Sequence, residues 1–417
     1  MKNRIRVTLP PLDVFFLPHV SDFLRIALGD SGSFPRLVKT MANAAGVEAP
    51  HLNTLKKAEQ KPVTLSTATK IKRVWHASIP DKQFLELIEA AVEPWNGLQL
   101  KNNGSSWVAA LAGAEKSKIG SALKGSRVAS FLEQRMAQEK AFLDWVKQET
   151  SRQPNKQHDS AVWIRRGQEF LREHTLVDPE LISLIAKIDH TARNPESAEW
   201  HRGKSILHLV NHQLRLDFYY TLLCELALDV AEYLAAHGVY EAHRQQLVDQ
   251  GFVGDIAPQS SSMGTLSEQD RPLIRLFEAW KHRLSALNGC DFGYRRMASY
   301  LPLPGDSAGE EFVSPAGYTL AMLKYRKLKR WRSGTIPDLS DFETFIARLC
   351  AGHDSDHYLA WIKAQVALAW GRLIDEEEEA LASIFTTHPD LQCFNAIGSY
   401  STYWNRYQKQ AADISAA

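Results

Sequence analysis

Apolar positions between residues 34 and 62 follow the spacing expected of two short helices that cross at a tight turn. Ala42 has too small a side chain to hold two helices apart, and Gly46 can adopt the positive φ that ends a helix. A steep crossing with a glycine at the turn is typical of the helix-turn-helix motif. The pattern therefore predicts such a motif, with its second helix at about residues 50–58. Its apolar and small positions are Met41, Ala42, Ala45, Val47, Leu52 and Leu55.

The rest of the chain has the apolar period of helices. Runs of β-branched residues are scarce, so we expect no substantial sheet and an all-α, multi-helical fold. The segment 251–270 is rich in Gly and Ser and is predicted to be a linker. We expect an N-terminal helix-turn-helix domain at 1–100, a helical middle region at 101–250 and a C-terminal helical domain at 271–417. Helices outside the first motif are predicted at 128–148, 160–174, 179–191, 203–236 and 240–250.

A weak internal repeat relates the two ends of the chain. Residues 23–75 align with 282–349 in the same order of elements, and Met41-Ala42 matches Met297-Ala298. The second copy inserts residues 303–317 before its basic helix, and such an insertion costs little closure entropy. The C-terminal domain is therefore predicted to contain a degenerate helix-turn-helix-like repeat. The alternative is a chance alignment of helices with similar composition.

The net charge of the 417-residue chain is only +1, which argues against a uniformly basic coat protein. The charge is uneven, however, and three basic clusters coincide with three helix-turn-helix-like stretches. A basic cluster is either a solvated helix face or a surface for phosphates, and three of them favour phosphate contact. The clusters contain Lys56, Lys57, Lys61, Lys70, Lys72 and Arg73; Lys116, Lys118, Lys124 and Arg127; and Lys324, Arg326, Lys327, Lys329, Arg330 and Arg332.

Four cysteines are widely separated, and no CxxC pair exists, so neither a disulfide framework nor a zinc finger is supported. No apolar run approaches the ~20 residues that span a bilayer, and the N-terminus lacks the long apolar stretch of a signal peptide. We therefore expect a cytoplasmic protein without membrane contact. No motif predicts a cofactor. His201, His208 and His212 share a helix face but lack the carboxylate that would complete a familiar metal site.

Residues 21–75, which contain the turn and the second helix, resemble a lambda-repressor/Cro-like helix-turn-helix domain. The resemblance implies binding of duplex DNA, with the second helix in the major groove. Residues 107–125 are similar to the motif of lac-repressor-like proteins, with an amphipathic hairpin between domains as the alternative. We expect a DNA-binding regulator, or the DNA-recognition subunit of a mobile-element or defence system. The first resemblance assigns phosphate contact to the lysines at 56, 57 and 61, and base reading to Glu48, Ala49, His51, Asn53 and Thr54.

Two other functions stay open. Arg202 and His208 are spaced as in the loose motif of HEPN ribonucleases, in which the pair acts on an RNA phosphodiester and the histidine is the general acid or base. That reading makes the chain a helical RNA-binding enzyme, whereas the DNA-binding reading requires no catalysis. The third hypothesis is an assembly component that forms a homodimer or a larger protein complex.

Overall fold

The structure is a computed structural model that describes residues 17–18, 20–29, 34–55, 65–78, 107, 125–152, 160–188, 197–237, 244–258, 266–304, 306, 317–335, 337–353 and 357–416. Over these residues the fold is all-α, as predicted, and contains no β-strand. No helix in the same residues has both the length and the apolar composition needed to cross a membrane.

The helices are numbered here in chain order. The first group is α1 Val20–Leu28, α2 Phe34–Ala45, α3 Leu65–Ser78, α4 Arg127–Arg152, α5 Ser160–His174, α6 Pro179–Ile185, α7 Ala198–Ala236 and α8 Arg244–Gln250. The second group is α9 Pro272–Asn288, α10 Tyr294–Ala298, α11 Leu320–Arg332, α12 Leu339–Ala351, α13 His357–Thr387, α14 Tyr400–Trp404 and α15 Gln408–Ala416. Short 3₁₀ helices cover Gly254–Ile256, Glu268–Asp270 and Pro389–Phe394.

The chain forms two compact units, each assembled from two stretches of sequence. Unit 1 comprises Met1–Asp229 and Glu379–Ala396, and unit 2 comprises Val230–Glu378 and Ile397–Ala417. The predicted regions at 1–100, 101–250 and 271–417 follow the chain, whereas the units group residues by proximity. The three-region division therefore stays a prediction.

The main core of unit 1 joins α4, α5, α6, the first part of α7 and the end of α13. α6 begins after Asp178, whose carboxylate accepts the N–H groups of Glu180 at 2.7 Å and Leu181 at 3.4 Å. The helix predicted at 160–174 has those bounds in α5. The helix predicted at 179–191 is too long, because α6 ends at Ile185 and a turn follows.

A buried ion pair crosses unit 1. The guanidinium of Arg135 on α4 donates to the carboxylate of Asp217 on α7 at 2.6 Å, and both side chains are more than nine-tenths buried. The same guanidinium donates to the carbonyl oxygen of His174, and the second oxygen of Asp217 accepts the N–H of Leu176 at 2.8 Å. Because each buried charge has several partners, the pair fixes α4, α7 and the end of α5 in one arrangement.

An aromatic cluster attaches α1 to α7 in unit 1. The ring of Phe23 on α1 stacks on Tyr219, with ring centres 6.2 Å apart, and meets Phe218 edge-on at 6.5 Å. Trp107 packs against Phe23 at 5.0 Å and donates from Nε1 to the carbonyl oxygen of Pro18 at 2.8 Å. α1 is therefore held to α7 by ring contacts, and the indole hydrogen bond of Trp107 fixes the backbone just before α1.

The prediction of a linker at 251–270 is wrong for its first part, because residues 251–258 pack into unit 2. Phe252, Val253 and Ile256 are buried. Gly251 has a φ of +70°, and a Cβ added there would lie 3.0 Å from the ring of Trp404. The small residues in this segment thus permit close packing, which a composition rich in glycine cannot distinguish from a free linker.

Aromatic side chains form the core around α9, α11 and α12 in unit 2. Trp331 of α11 meets Phe342 at 5.5 Å and Phe345 at 5.9 Å, and both are on α12. Phe277 and Trp280 of α9 contact the same two rings. All five rings are buried, so α11 is anchored to its two neighbours by its inner face.

Gly46 and Gly371 allow the stability effect of backbone conformation to be measured apart from steric clashes. A Cβ would meet no heavy atom within 4 Å at Gly46 or Gly371, but only Gly46 has a positive φ, of +65°. We predict that Gly46→Ala destabilises the protein by about 1 kcal/mol, whereas Gly371→Ala, inside α13, stabilises it by about 0.5–1 kcal/mol. Urea unfolding of both variants measures the effect. The same sign at both positions would contradict the assignment of strain to Gly46.

Candidate nucleic-acid interface

The chain leaves α2 through a turn at Gly46. The N–H of Val47 donates to the carbonyl oxygen of Ala42 at 2.9 Å, and the N–H of Gly46 donates to that of Asn43 at 3.3 Å. Together with the positive φ of Gly46, these bonds form the Schellman motif that commonly ends a helix. The positive φ predicted at this glycine is therefore confirmed.

The next helix starts at residue 52 and is described as far as residue 55. His51 caps it. Its carbonyl oxygen accepts the N–H groups of Thr54 at 2.8 Å and Leu55 at 3.1 Å, and its Nδ1 accepts that of Asn53 at 3.3 Å. Because Nδ1 accepts, the ring proton is assigned to Nε2, which is then a donor. The helix begins two residues after the predicted position 50, since His51 occupies the cap.

A small apolar cluster holds α2, the helix at 52–55 and α3 together. Leu55 is fully buried in it. Of the predicted base-reading residues, Glu48 and Ala49 precede the cap, His51 is the cap, and Asn53 and Thr54 lie on the short helix. Glu48, His51 and Asn53 are exposed, whereas Thr54 is half-buried and Ala49 packs against the cluster. Packing and exposure thus alternate as they do on a helix with one face on a core. The buried members are Val38, Ala42, Leu55, Ile71 and Val74.

Several predicted phosphate contacts fall outside the described residues. They are Lys56, Lys57 and Lys61, which come after the described part of the second helix in sequence, and Lys116, Lys118 and Lys124 in the candidate motif at 107–125. These assignments stay predictions. The remaining basic cluster, on α11, is described in full.

The basic helix α11 has well-defined ends. The Thr319 hydroxyl oxygen caps its start by accepting the N–H of Met322 at 3.4 Å. After the helix the chain turns at Gly334, with a φ of +93°. Leu328 and Trp331 are buried and turn one face of the helix to the core. The basic residues are distributed around the rest of its circumference.

Half of the predicted phosphate-binding residues on α11 are already paired with carboxylates. Each of the three pairs links α11 to a different segment of unit 2, so these cations hold the helix in place. Their predicted contact with phosphates stays a prediction, because it would compete with these pairs. The pairs are Lys324 with Asp306 at 2.8 Å, Lys327 with Asp341 of α12 at 2.6 Å, and Arg332 with Glu278 of α9 at 3.3 Å.

The other three basic residues of α11 are exposed. Arg326, Lys329 and Arg330 have no ion pair within the described part of the chain. Arg326 lies over the ring of Tyr318 at 4.3 Å, and Arg295 of α10 lies 5.8 Å from the ring of Tyr325 on α11. Arg295 is also exposed and brings a fourth cation beside the helix. Arg295, Arg326, Lys329 and Arg330 are called the α11 basic face below.

Arg295 was missed by the sequence reasoning, although it stands in the repeat beside Met297. Its stacking partner Tyr325 is 30 positions away and on another helix, so charge spacing along the chain gives no signal for it. In the predicted alignment α10 corresponds to α2, but α10 has only five residues and α2 has twelve. Pro302 and Pro304 follow shortly after α10 and disfavour its extension.

Asp306 is the carboxylate on which two cations converge. Arg348 of α12 donates to one oxygen at 2.6 Å, and the ammonium of Lys324 lies 2.8 Å from the other. Burial raises the pKa of Asp306, but the contacts with Arg348 and Lys324 outweigh it and lower the pKa to about 2. The carboxylate therefore stays ionised in all but strong acid and keeps α11 tied to α12.

The residues proposed for ribonuclease chemistry have other partners. Arg202 donates to both oxygens of Asp390, at 2.7 and 3.3 Å. Partial burial and the nearby charge of Lys204 lower the pKa of His208. No group of three His, Cys, Asp or Glu side chains suited to a metal ion occurs in the described residues. The ribonuclease hypothesis would require Arg202 to leave its carboxylate.

Comparison with known proteins adds no further assignment. No protein-family model, no curated protein and no solved structure matches the chain. The surfaces that bear on function are therefore the exposed residues at 51–54 and the α11 basic face.

The depressed pKa of Asp306 predicts a pH-dependent contribution to stability. A lowered carboxyl pKa stabilises the fold above the ordinary Asp value of 3.8, and this stabilisation is lost as the pH falls from about 4 towards about 2. We predict that Asp306→Asn lowers the free energy of unfolding by about 1–2 kcal/mol at pH 6 and by less at pH 3.

Urea unfolding at the two pH values measures this difference. Asp22→Asn is the control, because the ion pair of Asp22 with Arg25, at 4.0 Å, is exposed and its loss should change stability little. An equal loss for Asp306→Asn at pH 3 and pH 6 would show that its charge does not stabilise the fold.

Proposed function

We propose that the chain binds duplex DNA through two helix-turn-helix units, at residues 20–78 and 272–351. The observation that carries the proposal is the α11 basic face. Its four cations are exposed, whereas the remaining cations of α11 are neutralised by carboxylates of unit 2. A helix that separates its charges in this way presents a positive surface on a rigid support, which suits the regular spacing of DNA phosphates.

The first unit supplies a different chemistry. Asn53 is exposed near the start of the second helix, and an asparagine amide can pair with N6 and N7 of adenine in the major groove. The Nε2 donor assigned to His51 could reach a base edge or a phosphate from the same position. The exposed polar residues therefore support base reading by the first unit, and the cations of α11 support backbone contact by the second.

The charges set the expected electrostatic strength. If each cation of the α11 basic face neutralises one phosphate, the logarithm of affinity should fall with the logarithm of salt concentration with a slope of about −3.6 from this face alone. Such binding would serve a transcription regulator, or a recognition subunit of a mobile-element or defence system.

We predict that the double variant Lys329→Gln/Arg330→Gln weakens binding to all duplex sequences by roughly 10–30-fold near 0.15 M salt and reduces the salt slope by about 1.8. The reason is the loss of two counterion-releasing contacts. Fluorescence anisotropy with a labelled duplex at several salt concentrations measures both quantities.

The matched control is Arg406→Gln/Lys409→Gln, which removes two exposed charges elsewhere in unit 2. It should leave affinity and slope nearly unchanged. Equal effects of the two double variants would mean that only the net charge of the chain matters, and the proposal for α11 would fail.

We predict that Asn53→Ala relaxes sequence preference by about 1–3 kcal/mol at one or two base pairs, because it removes an amide that reads base edges. Selection from randomised duplex DNA, before and after the change, measures the preference. The control variant Asn43→Ala removes an exposed amide from the end of α2 and should leave the sequence preference unchanged. Unaltered selection by Asn53→Ala would remove the first unit from the proposal.

A further inference from the structure

A cavity of about 390 Å³ lies inside unit 2, directly behind the helices that hold α11. Its walls come from the end of α7, α8, the segment after α8, α9, α12 and α13. The volume is within the range of small-molecule sites, and most of the lining is apolar. Phe252 and Trp280 are the aromatic side chains of the walls, and Ile346 and five leucines are the other large apolar ones.

The charged groups of the cavity are few and unbalanced. Asp255 is the only carboxylate among the described residues that line it, and both of its oxygens accept from the ammonium of Lys363, at 2.9 and 2.8 Å. Arg283 on α9 also lines the cavity, is exposed, and has no ion pair among the described residues. One positive charge at the rim is therefore left without a carboxylate.

We infer that this cavity binds an amphipathic carboxylate, such as a medium-chain fatty acid, and that its occupancy changes DNA binding by α11. Apolar walls favour an alkyl chain, because contact between the two removes the apolar surface of both from water. The guanidinium of Arg283 suits a carboxylate head, since its planar donors can bind both oxygens. The head group of a neutral or cationic amphiphile cannot form this ion pair with Arg283.

The route from the cavity to α11 is short. Trp280 belongs to the cavity wall and contacts Phe342 and Phe345, with ring centres 6.4 and 6.2 Å apart. Those two rings contact Trp331 of α11. α9 and α12 also carry Glu278 and Asp341, which pair with cations of α11. A ligand that repacks Trp280 therefore acts on the same elements that orient the α11 basic face, and coupling of this kind is reciprocal.

Binding is tested on the full chain without DNA, by isothermal titration with decanoate, decanol and decyltrimethylammonium. We expect saturable binding of one decanoate per chain, with decanol at least 10-fold weaker and the cation weaker still. Arg283→Gln should weaken decanoate at least 5-fold, whereas Arg406→Gln, an exposed arginine of unit 2 outside the cavity lining, should not. Equal affinity for the three probes, or no saturable binding of decanoate, would overturn the proposed ligand class.

The location is tested with Ala360→Trp, which introduces a large ring at the cavity wall. This variant should lose decanoate binding while its circular dichroism spectrum keeps the helical signal. If it does not fold, the exposed substitution Arg283→Gln and its control decide the location alone. Decanoate binding that survives both Ala360→Trp and Arg283→Gln would place the ligand elsewhere and overturn the inference.

The effect on α11 rests on the proposed function and has a separate readout. Saturating decanoate should change the affinity for duplex DNA at least 5-fold in the wild-type chain and less than 2-fold in Arg283→Gln, because coupling free energies of this type correspond to factors of about 5–150. Decanoate binding with unchanged DNA affinity would overturn the coupling. Decanoate binding by a chain that binds no DNA under any condition would instead overturn the proposed function and leave the ligand site.

Discussion

The position of α11 depends on three carboxylates that neutralise the cations on its inner side. Asp306, Asp341 and Glu278 come from three different segments, and each holds one basic residue of α11. Partly exposed ion pairs contribute little stability one by one. Their importance here is geometric, because a helix fixed by three pairs and by the buried ring of Trp331 has its remaining cations in a defined place. The exposed positive surface consists of the cations that these three carboxylates do not neutralise.

The two helical surfaces share an order of elements and differ in chemistry. In the first, a histidine caps the short helix and an asparagine amide is exposed beside it. In the second, a threonine caps the helix and the exposed groups are cations with two tyrosine rings beneath them. Under the proposed function, the first surface would supply selectivity, and the second would supply most of the salt-dependent affinity.

Local signals in the sequence were sufficient for the helical class, for the turn at Gly46 and for the bounds of α5, because these depend on residues within a few positions. Local signals could not predict which cations of α11 pair with carboxylates and which are exposed. The carboxylates that pair with them lie 14 to 54 positions away, and nothing in a run of Lys and Arg indicates which members face inward. Arg295 escaped notice for the same reason. The buried segment at 251–258 was misjudged because small residues are equally common in free linkers and in tight packing.

Trp107 has a consequence for how the first helices can be used outside the whole chain. Its indole closes over Phe23 and bonds to the backbone at Pro18, and Phe23 rests in turn on rings of α7. A fragment cut near residue 100 would carry the turn and its capped helix but would leave the ring of Phe23 without its cover. The N-terminal helices thus depend on aromatic contacts with residues outside the first hundred positions. A fragment meant to preserve their structure should therefore include α7 and Trp107.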